Sequence, residues 1–292
     1  MTNPFTGVGV ALVTPFDAQG TIDFNALKSL VQMQIAGGTD FLVVQGTTGE
    51  SPTLSQEEKF QVLNTVIQEN NGRLKIVYGV GGNNTLAVGE NLKQVPEGVD
   101  GILSVSPYYN KPTQAGIVKH FEYLATCTDL PIILYNVPGR TGSNMSPETS
   151  LELSKIENIV AVKEASGNME QIMDVIRQRS GEFGVLSGDD NLTMPLIAAG
   201  ADGVISVVAN AFPELFSTMV HAAMEDDLIT ARKAHYELFG ITKMFFEEGN
   251  PGGVKIALAQ RGIMEPFMRM PLHPVSDNLA ARIQKETKRI LK

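Results

Sequence analysis

Eight short apolar segments recur along the chain, and each is followed by a stretch with helical periodicity. The segments are rich in β-branched residues and have few polar positions, as expected for parallel strands covered by helices. They span residues 8–14, 41–45, 75–79, 101–106, 132–136, 159–163, 183–187 and 203–208. This alternation predicts an α/β fold with a parallel sheet.

The helical stretches carry recognisable start and stop signals. Asp23 is a predicted N-cap, Ser55 and Glu58 form a predicted capping box, and Ser146 is followed by proline at the first helical position. Glycines mark the predicted helix ends at Gly37, Gly38, Gly72 and Gly200. These signals place a helix between successive strands.

Eight β-α units within the first 225 residues predict a TIM (β/α)8 barrel. The alternative, a doubly wound sheet, predicts a glycine-rich dinucleotide turn after the first strand, and the sequence there reads VTPF. Residues 226–292 contain three further helical patterns and no strand pattern. We therefore predict a barrel domain over residues 1–225 and a C-terminal helical extension over residues 226–292.

Composition restricts the classes of function. The net charge of −9 disfavours a nucleic-acid or anionic-membrane partner. No apolar run approaches the roughly 20 residues of a membrane span, and the N-terminal segment lacks the basic region of a secretory signal. A single cysteine, Cys127, and four histidines offer little for a disulfide or a zinc site. We expect a cytoplasmic enzyme or small-molecule binder without a metal.

Lys163 is the most informative polar residue, because the chemistry of a TIM barrel lies at the C-terminal ends of its strands. It ends a strand that otherwise reads IVAV. Burial disfavours the charged form of an amine, and a neutral amine can condense with a carbonyl to give a Schiff base. The alternative is a lysine that extends out of the barrel mouth or pairs with Glu164.

Tyr135 ends the preceding strand, where in-out alternation can aim its hydroxyl at the barrel mouth and at the protons of a carbinolamine. The hydroxyls of Thr47 and Tyr109 follow two other strands and can extend a proton relay. Each tyrosine is alternatively a packing residue with its hydroxyl in water. Arg140 offers a fork that matches a carboxylate, or alternatively a surface salt bridge.

Two further segments at strand ends are polar. The GTTG sequence at 46–49 supplies backbone N–H groups and two hydroxyls for a small anion, or forms a simple β-α turn. The adjacent carboxylates of Asp189 and Asp190 are compatible with Mg²⁺, but we favour a helix cap.

Four segments in this order resemble the dihydrodipicolinate synthase family: GTTGES at 46–51, PYYNKP at 107–112, YNVPGRTG at 135–142 and VKEASG at 162–167. The resemblance extends from GVGVALVTPF near the start to NPGGVK in the helical tail. It implies a lyase of the class I aldolase type, with no cofactor beyond the Schiff base that pyruvate forms with Lys163. The resulting enamine attacks aspartate 4-semialdehyde in the diaminopimelate route to lysine.

The resemblance also implies a proton relay of Thr47, Tyr135 and Tyr109, with Tyr109 supplied across a tight dimer interface. Members of the family are commonly dimers or tetramers of tight dimers, and of these we expect a homotetramer. The implied substrate-binding residues are Thr48 for the pyruvate carboxylate, Arg140 for the semialdehyde carboxylate, and the backbones of Gly188 and Ile205.

An allosteric lysine pocket is compatible with Ser51, Asn83 and Tyr108. Lysine-inhibited members of the family carry a histidine early in helix two and a glutamate in helix three, and the corresponding positions here are Lys59 and Ala87. A cation opposes a cationic ligand, and alanine removes a counter-charge. We predict weak or absent inhibition by lysine.

Two other hypotheses stay open. The same Schiff-base chemistry serves sugar-derived acceptors in N-acetylneuraminate and keto-deoxy sugar acid aldolases. Arg140 favours a carboxylated acceptor, because a carboxylate left unpaired in a closed site costs more than a neutral hydrogen bond. A non-catalytic organic-acid binder on the same scaffold is the third hypothesis, since a fold does not fix a function. It predicts that no pyruvate adduct forms.

Overall fold

A computed structural model describes Met1 and residues 3–292 and contains a closed barrel of eight parallel strands. Each strand pairs with its neighbours in the sequence, and the eighth pairs with the first. The strands are β1 (Gly7–Ala11), β2 (Phe41–Val44), β3 (Lys75–Gly79), β4 (Gly101–Val105), β5 (Ile132–Asn136), β6 (Ile159–Glu164), β7 (Gly184–Ser187) and β8 (Gly203–Ser206). The predicted TIM barrel is confirmed.

The observed strands differ from the predicted segments mainly at their C-terminal ends. β1 ends at Ala11; Leu12 N still donates to the Val43 carbonyl of β2 at 3.0 Å, and Val13 N then leaves the sheet and donates to Asn210 Oδ1 at 3.1 Å. β8 stops at Ser206 because the N–H groups of Val207 and Val208 donate to Asp190 Oδ2 instead of to a strand. An apolar run therefore continues past the point where the sheet hydrogen bonding ends.

Helices follow the strands around the outside of the barrel. They are α1 (Phe24–Ala36), α2 (Gln56–Asn70), α3 (Thr85–Leu92), α4 (Gln114–Ala125), α5 (Pro138–Thr141), α6 (Pro147–Leu153), α7 (Met169–Gln178), α8 (Thr193–Ala198), α9 (Pro213–Met224), α10 (Leu228–Glu247), α11 (Gly252–Gln260) and α12 (Asp277–Ile290). The predicted start signals are confirmed. Asp23 accepts hydrogen bonds at the start of α1, Ser55 and Glu58 form a capping box, and Ser146 caps α6 ahead of a proline.

The strands bury side chains on both faces, which explains their continuous apolar sequences. One core fills the barrel interior and includes Phe41, Val77 and Leu186, and a larger one lies between the strands and the helices. Phe5 closes the N-terminal end of the barrel, where its ring lies 5.6 Å from that of Phe41. The N-terminal end is thus filled, and the opposite end is left for a site.

Three helices, α10, α11 and α12, lie in the predicted C-terminal extension. α10 packs against α9, and α11 and α12 pack against each other. The domain boundary at residue 225 stays a prediction. No helix in the described residues is long and apolar enough to cross a membrane.

Candidate active site

A cavity of about 540 Å³ opens at the C-terminal end of the barrel. Its walls come from the ends of five strands or the segments after them, and from α10 and the turn that follows it. The lining residues are Thr47, Thr48, Tyr135, Val137, Arg140, Lys163, Ala165, Gly188, Asp189, Asn191, Val207, Thr242, Lys243, Phe246, Glu247 and Asn250. Six residues of the predicted site therefore lie together in this cavity: Thr47, Thr48, Tyr135, Arg140, Lys163 and Gly188.

Lys163 lies directly opposite Tyr135 in the β5–β6 pairing. Its Nζ is 4.3 Å from the centroid of the Tyr135 ring, and only 6% of the residue is exposed. Among the described residues, the structure gives the Nζ no hydrogen-bond acceptor and no ion-pair partner. The amine thus combines burial with a nitrogen that no protein acceptor engages, which leaves its neutral form open to a substrate carbon.

Glu164 points to the other face of β6, as strand alternation requires, and does not pair with Lys163. Its carboxylate accepts from Asn136 Nδ2 and from Ser166 Oγ, both at 2.7 Å. Burial raises the pKa of Glu164, while the hydrogen bonds from Ser166 and Asn136 oppose that rise. The alternative in which Glu164 neutralises Lys163 is therefore wrong.

Gly188 leaves the space that the Lys163 side chain needs. A Cβ at this position would lie 3.1 Å from Lys163 Cε, 2.7 Å from Ala165 Cβ and 3.0 Å from the Glu164 carbonyl oxygen. Gly188 N also donates to that carbonyl at 2.6 Å, which holds the β7 end close to β6. Any larger residue at position 188 would press on the side chain of Lys163.

The GTTG segment forms a 3₁₀ turn over Thr47–Gly49 immediately after β2. Thr48 is buried and its Oγ1 accepts from Asn250 Nδ2 at 3.0 Å, whereas the Thr47 side chain is exposed. The turn ends at Glu50, which has a left-handed φ of 55° and a fully buried side chain. The two threonines thus differ: the Thr48 hydroxyl is held by Asn250, and the Thr47 side chain is open to the cavity.

Glu50 is held by a lysine from α11. Lys255 Nζ lies 2.5 Å from Glu50 Oε1, and donates to the carbonyl oxygens of Thr14 at 2.8 Å and of Phe267 at 2.7 Å. Neither charged side chain of the pair is exposed. Burial lowers the pKa of Lys255 to about 8, against the opposing effect of Glu50. The C-terminal extension therefore fastens the turn that carries the two threonines.

Arg140 lies in α5 with an exposed side chain at the cavity wall. In the described part of the chain its guanidinium has no ion-pair partner, so the alternative of a surface salt bridge within this chain is wrong. A cation at the open side of a cavity suits an anionic group on an incoming ligand.

Tyr109 and Ile205 lie elsewhere. Tyr109 is 87% exposed with a left-handed φ of 73°, and its N–H donates to the Thr141 carbonyl at 3.4 Å. Ile205 is buried in the barrel interior, and Val207 is the β8-side residue at the cavity wall. Within residues 1 and 3–292, neither residue lines the cavity, and their predicted roles stay predictions.

The predicted lysine pocket has two of its three residues in contact. Asn83 Nδ2 donates to the Tyr108 carbonyl at 3.2 Å, and Ser51 begins a separate 3₁₀ turn after Glu50. Lys59 is half-buried, and burial lowers its pKa, whereas Ala87 is exposed.

Asp190 caps a different segment from the one predicted. The predicted cap is on the turn that follows β7. In the structure, the N–H groups of Val207 and Val208, just after β8, donate to Asp190 Oδ2 at 3.1 Å and 3.2 Å. Its burial raises its pKa to about 6. In the described residues, no group of three or more metal-binding side chains is placed to hold an ion.

Sequence reasoning missed the wall that α10 contributes, which includes Thr242, Lys243 and Phe246. It also missed the Glu50–Lys255 pair. A usable signal for the second existed, because Lys255 is the only charged residue in the otherwise apolar segment GGVKIALA. A lone cation in an apolar helix requires a buried partner.

Three comparisons relate the chain to known proteins. The family model described as "Dihydrodipicolinate synthetase family" matches residues 4–290. A 4-hydroxy-tetrahydrodipicolinate synthase of Parabacteroides distasonis is 50% identical over 270 residues, which cover 92% of this chain and 91% of that protein.

Solved structures agree with this similarity. Dihydrodipicolinate synthase from Aquifex aeolicus has a TM-score of 0.94 and 42% identity, with 98% of each chain covered. The chloride-inhibited dihydrodipicolinate synthase from Acinetobacter baumannii, complexed with pyruvate, has a TM-score of 0.95 and 38% identity, again over 98% of each chain.

Proposed function

The chain belongs to the dihydrodipicolinate synthetase family, and from this premise we propose how its cavity performs the reaction. It is a lyase of the class I aldolase type that condenses pyruvate with aspartate 4-semialdehyde to give 4-hydroxy-tetrahydrodipicolinate, in the diaminopimelate route to lysine. One observation carries the assignment to this cavity: Lys163 is buried, has no acceptor for its Nζ among the described residues, and lies against Tyr135.

In the proposed first half-reaction, Lys163 Nζ attacks the ketone carbon of pyruvate. The carbinolamine loses water to give an iminium, and loss of a methyl proton gives the enamine. Tyr135 is the proton carrier in this scheme, since its ring centroid lies 4.3 Å from Lys163 Nζ and its phenol can give and take a proton. Thr48 holds the pyruvate carboxylate, and the open Thr47 hydroxyl continues the relay. No cofactor takes part in this scheme.

In the second half-reaction, the enamine carbon attacks the aldehyde carbon of aspartate 4-semialdehyde, and the aldehyde oxygen takes up a proton. The amino group of the acceptor then attacks the imine carbon, which closes the ring and releases Lys163. Arg140 binds the acceptor carboxylate, since it is an open cation at the cavity wall. Gly188 keeps room for the lysine, and Ile205 supports the site from the barrel interior.

We also propose that Tyr109 completes the relay in a partner subunit, within a homotetramer of tight dimers in the cytoplasm. Its 87% exposure and left-handed backbone support this role, because a large aromatic residue held outward suits a contact with another chain. Replacing Tyr109 with Phe is expected to lower turnover without changing the unfolding midpoint. Full activity of that variant would remove the shared relay.

Weak or absent inhibition by lysine is a separate proposal. Asn83 and Tyr108 are already joined by a hydrogen bond, but Lys59 is a cation where lysine-inhibited members of the family carry a histidine, and Ala87 offers no counter-charge. Activity is expected to persist when lysine is added at physiological concentration. Inhibition at that concentration would contradict the proposal.

The function is tested with purified protein in two steps. Borohydride reduction with pyruvate should fix a covalent adduct on Lys163, seen by peptide mass spectrometry and absent in Lys163→Ala. Turnover is then followed with dihydrodipicolinate reductase as the coupling enzyme, with N-acetylmannosamine and glyceraldehyde as competing acceptors. Preference for the semialdehyde, lost in Arg140→Ala, is expected. An adduct with activity only on sugar-derived aldehydes would move the protein to the alternative aldolases, and no adduct would leave an organic-acid binder.

A further inference from the structure

The carboxylate of Glu164 is fully buried beside the reactive lysine and is bound by amide and hydroxyl donors. No ion pair neutralises it in the described part of the chain. Burying a carboxylate is costly, so such a group needs a dense set of hydrogen bonds. Asn136, Ser166 and Gln171 donate to this carboxylate, and Asn144 joins Asn136 to Gln171. We call these five residues, Glu164 included, the Glu164 network.

The Glu164 network closes the loop that follows β5. Asn136 Nδ2 donates to Glu164 Oε1 at 2.7 Å and also reaches Asn144 Oδ1 at 2.8 Å. Asn136 Oδ1 accepts from Met145 N at 2.9 Å. The loop over residues 137–145 therefore begins directly after Asn136, and its last residues are hydrogen-bonded to the Asn136 side chain. Arg140 lies in the middle of this closed loop.

The same loop supports the segment that carries Tyr109. The Thr141 carbonyl accepts from Tyr109 N at 3.4 Å, and a Cβ on Gly142 would lie 2.8 Å from Lys111 Cε. By contrast, Lys163 and Tyr135 are placed by the sheet itself, since both are in register with neighbouring strands. Loosening the loop would therefore disturb Arg140 more than the lysine.

We propose that Glu164 is a positioning residue for the aldehyde acceptor, acting through Asn136 to hold the 137–145 loop so that Arg140 faces the cavity. This inference rests on the proposed function, in which Arg140 binds the acceptor carboxylate. Among the described residues that line the cavity Glu164 does not appear, and its side chain is fully buried. Its effect should thus appear mainly in the affinity for the acceptor, with a smaller loss of turnover through the Tyr109 segment, while the lysine that binds pyruvate keeps its place.

The test compares Glu164→Ala with Glu164→Gln. Removing the acceptor of a buried amide N–H is expected to raise the KM for aspartate 4-semialdehyde about tenfold in Glu164→Ala. The KM for pyruvate and the yield of the borohydride-trapped adduct should stay within about threefold of wild type, because the sheet still places Lys163. Glu164→Gln keeps an oxygen toward Asn136, so it should recover most of the lost acceptor affinity.

A double-mutant cycle separates positioning from general damage. If Glu164 acts through Arg140, then Arg140→Ala combined with Glu164→Ala should be little worse than Arg140→Ala alone. Asn158→Ala is the matched control, because Asn158 is a buried amide just before β6, at the opposite end of that strand, with bonds to the carbonyls of Ala125 and Thr128. It should lower the unfolding midpoint and leave the KM for the acceptor unchanged.

The exposed Asn144 gives a second variant that is expected to fold if Glu164→Ala does not. Asn144→Ala should raise the KM for the acceptor in the same direction by a smaller factor. Equal losses in pyruvate trapping and acceptor affinity, or additive effects with Arg140→Ala, would overturn the positioning role. If wild-type protein forms no pyruvate adduct, the proposed function fails first, and the two failures are thereby distinguished.

Discussion

Two lysines are buried in the described part of the chain, and their surroundings are opposite in character. Lys255 in α11 has three oxygen acceptors, one of them a buried carboxylate, and lies over the Phe16 ring at 4.6 Å. Lys163 at the end of β6 also lies over an aromatic ring, but among the described residues its Nζ has no acceptor. Burial alone therefore does not identify a reactive amine.

The difference lies in what occupies the three proton positions of each ammonium group. Where protein oxygens fill all three, as around Lys255, the lysine is structural and removing it leaves its partner Glu50 charged and buried. Where they are left open beside a cavity, as at Lys163, the nitrogen is available to a substrate carbon. The same substitution at the two sites should then fail in different ways.

Lys163→Met is expected to give the largest effect. Turnover should fall at least about 10³-fold, because no other residue supplies the nucleophile. The midpoint of urea unfolding should stay level or rise, since the variant removes a buried amine without breaking a hydrogen bond. The coupled assay and urea titration measure both. A clear loss of stability would place Lys163 with Lys255 as a structural lysine.

Lys255→Met is expected to lower the stability of the fold more than it lowers turnover. Breaking a buried ion pair from one side costs about 3–5 kcal/mol, so the free energy of unfolding should fall by that amount. Adding Glu50→Gln removes the stranded charge, and the double variant should be more stable than additivity of the single changes predicts. Urea unfolding of the three variants measures this. Independent, additive losses would show that the pair is not coupled.

Gly188→Ala tests how much free volume the reactive lysine needs. The added methyl group would press on Lys163 Cε and Ala165 Cβ, and overpacking of this kind costs about 1–3 kcal/mol. The rate of pyruvate trapping should fall about 10- to 100-fold. Gly181→Ala is the matched control, because a Cβ there meets no atom within 4 Å. An unchanged trapping rate in Gly188→Ala would mean that the lysine simply moves aside.

Asp190 extends the comparison to a buried acid with no cation beside it in the described residues. Its pKa of about 6 exceeds the ordinary 3.8, so between these values the folded state keeps a proton that the unfolded state releases. The free energy of unfolding therefore falls as the pH rises through this window, by about 1.4 kcal/mol per pKa unit.

Asp190→Asn removes that dependence. Its stability relative to wild type should increase from about pH 4 to about pH 6, because the other titrating groups contribute equally to both proteins. Urea midpoints at several pH values measure the difference. Parallel curves for the two proteins would show that Asp190 keeps an ordinary pKa when folded.

The strands and the two reactive residues on them were predictable because their signals are local. Each strand is a short run that is apolar on both faces, and Tyr135 and Lys163 are the next-to-last residues of two such strands. The α10 wall and the Glu50–Lys255 pair depend on contacts across some 200 residues, which no local period encodes. The partners of Asp190 lie 17 and 18 residues away, just after the next strand, and no local pattern points to them.

Asn250 and Lys255 hold the turn after β2, although they are synthesised about 200 residues later than that turn. On the ribosome, all eight strands are synthesised before these two residues join the chain. A nascent barrel would therefore carry Lys163 while the wall opposite is still unanchored. The turn that carries the two threonines is therefore the last part of the site to be fixed, after the reactive lysine already has its place in the sheet.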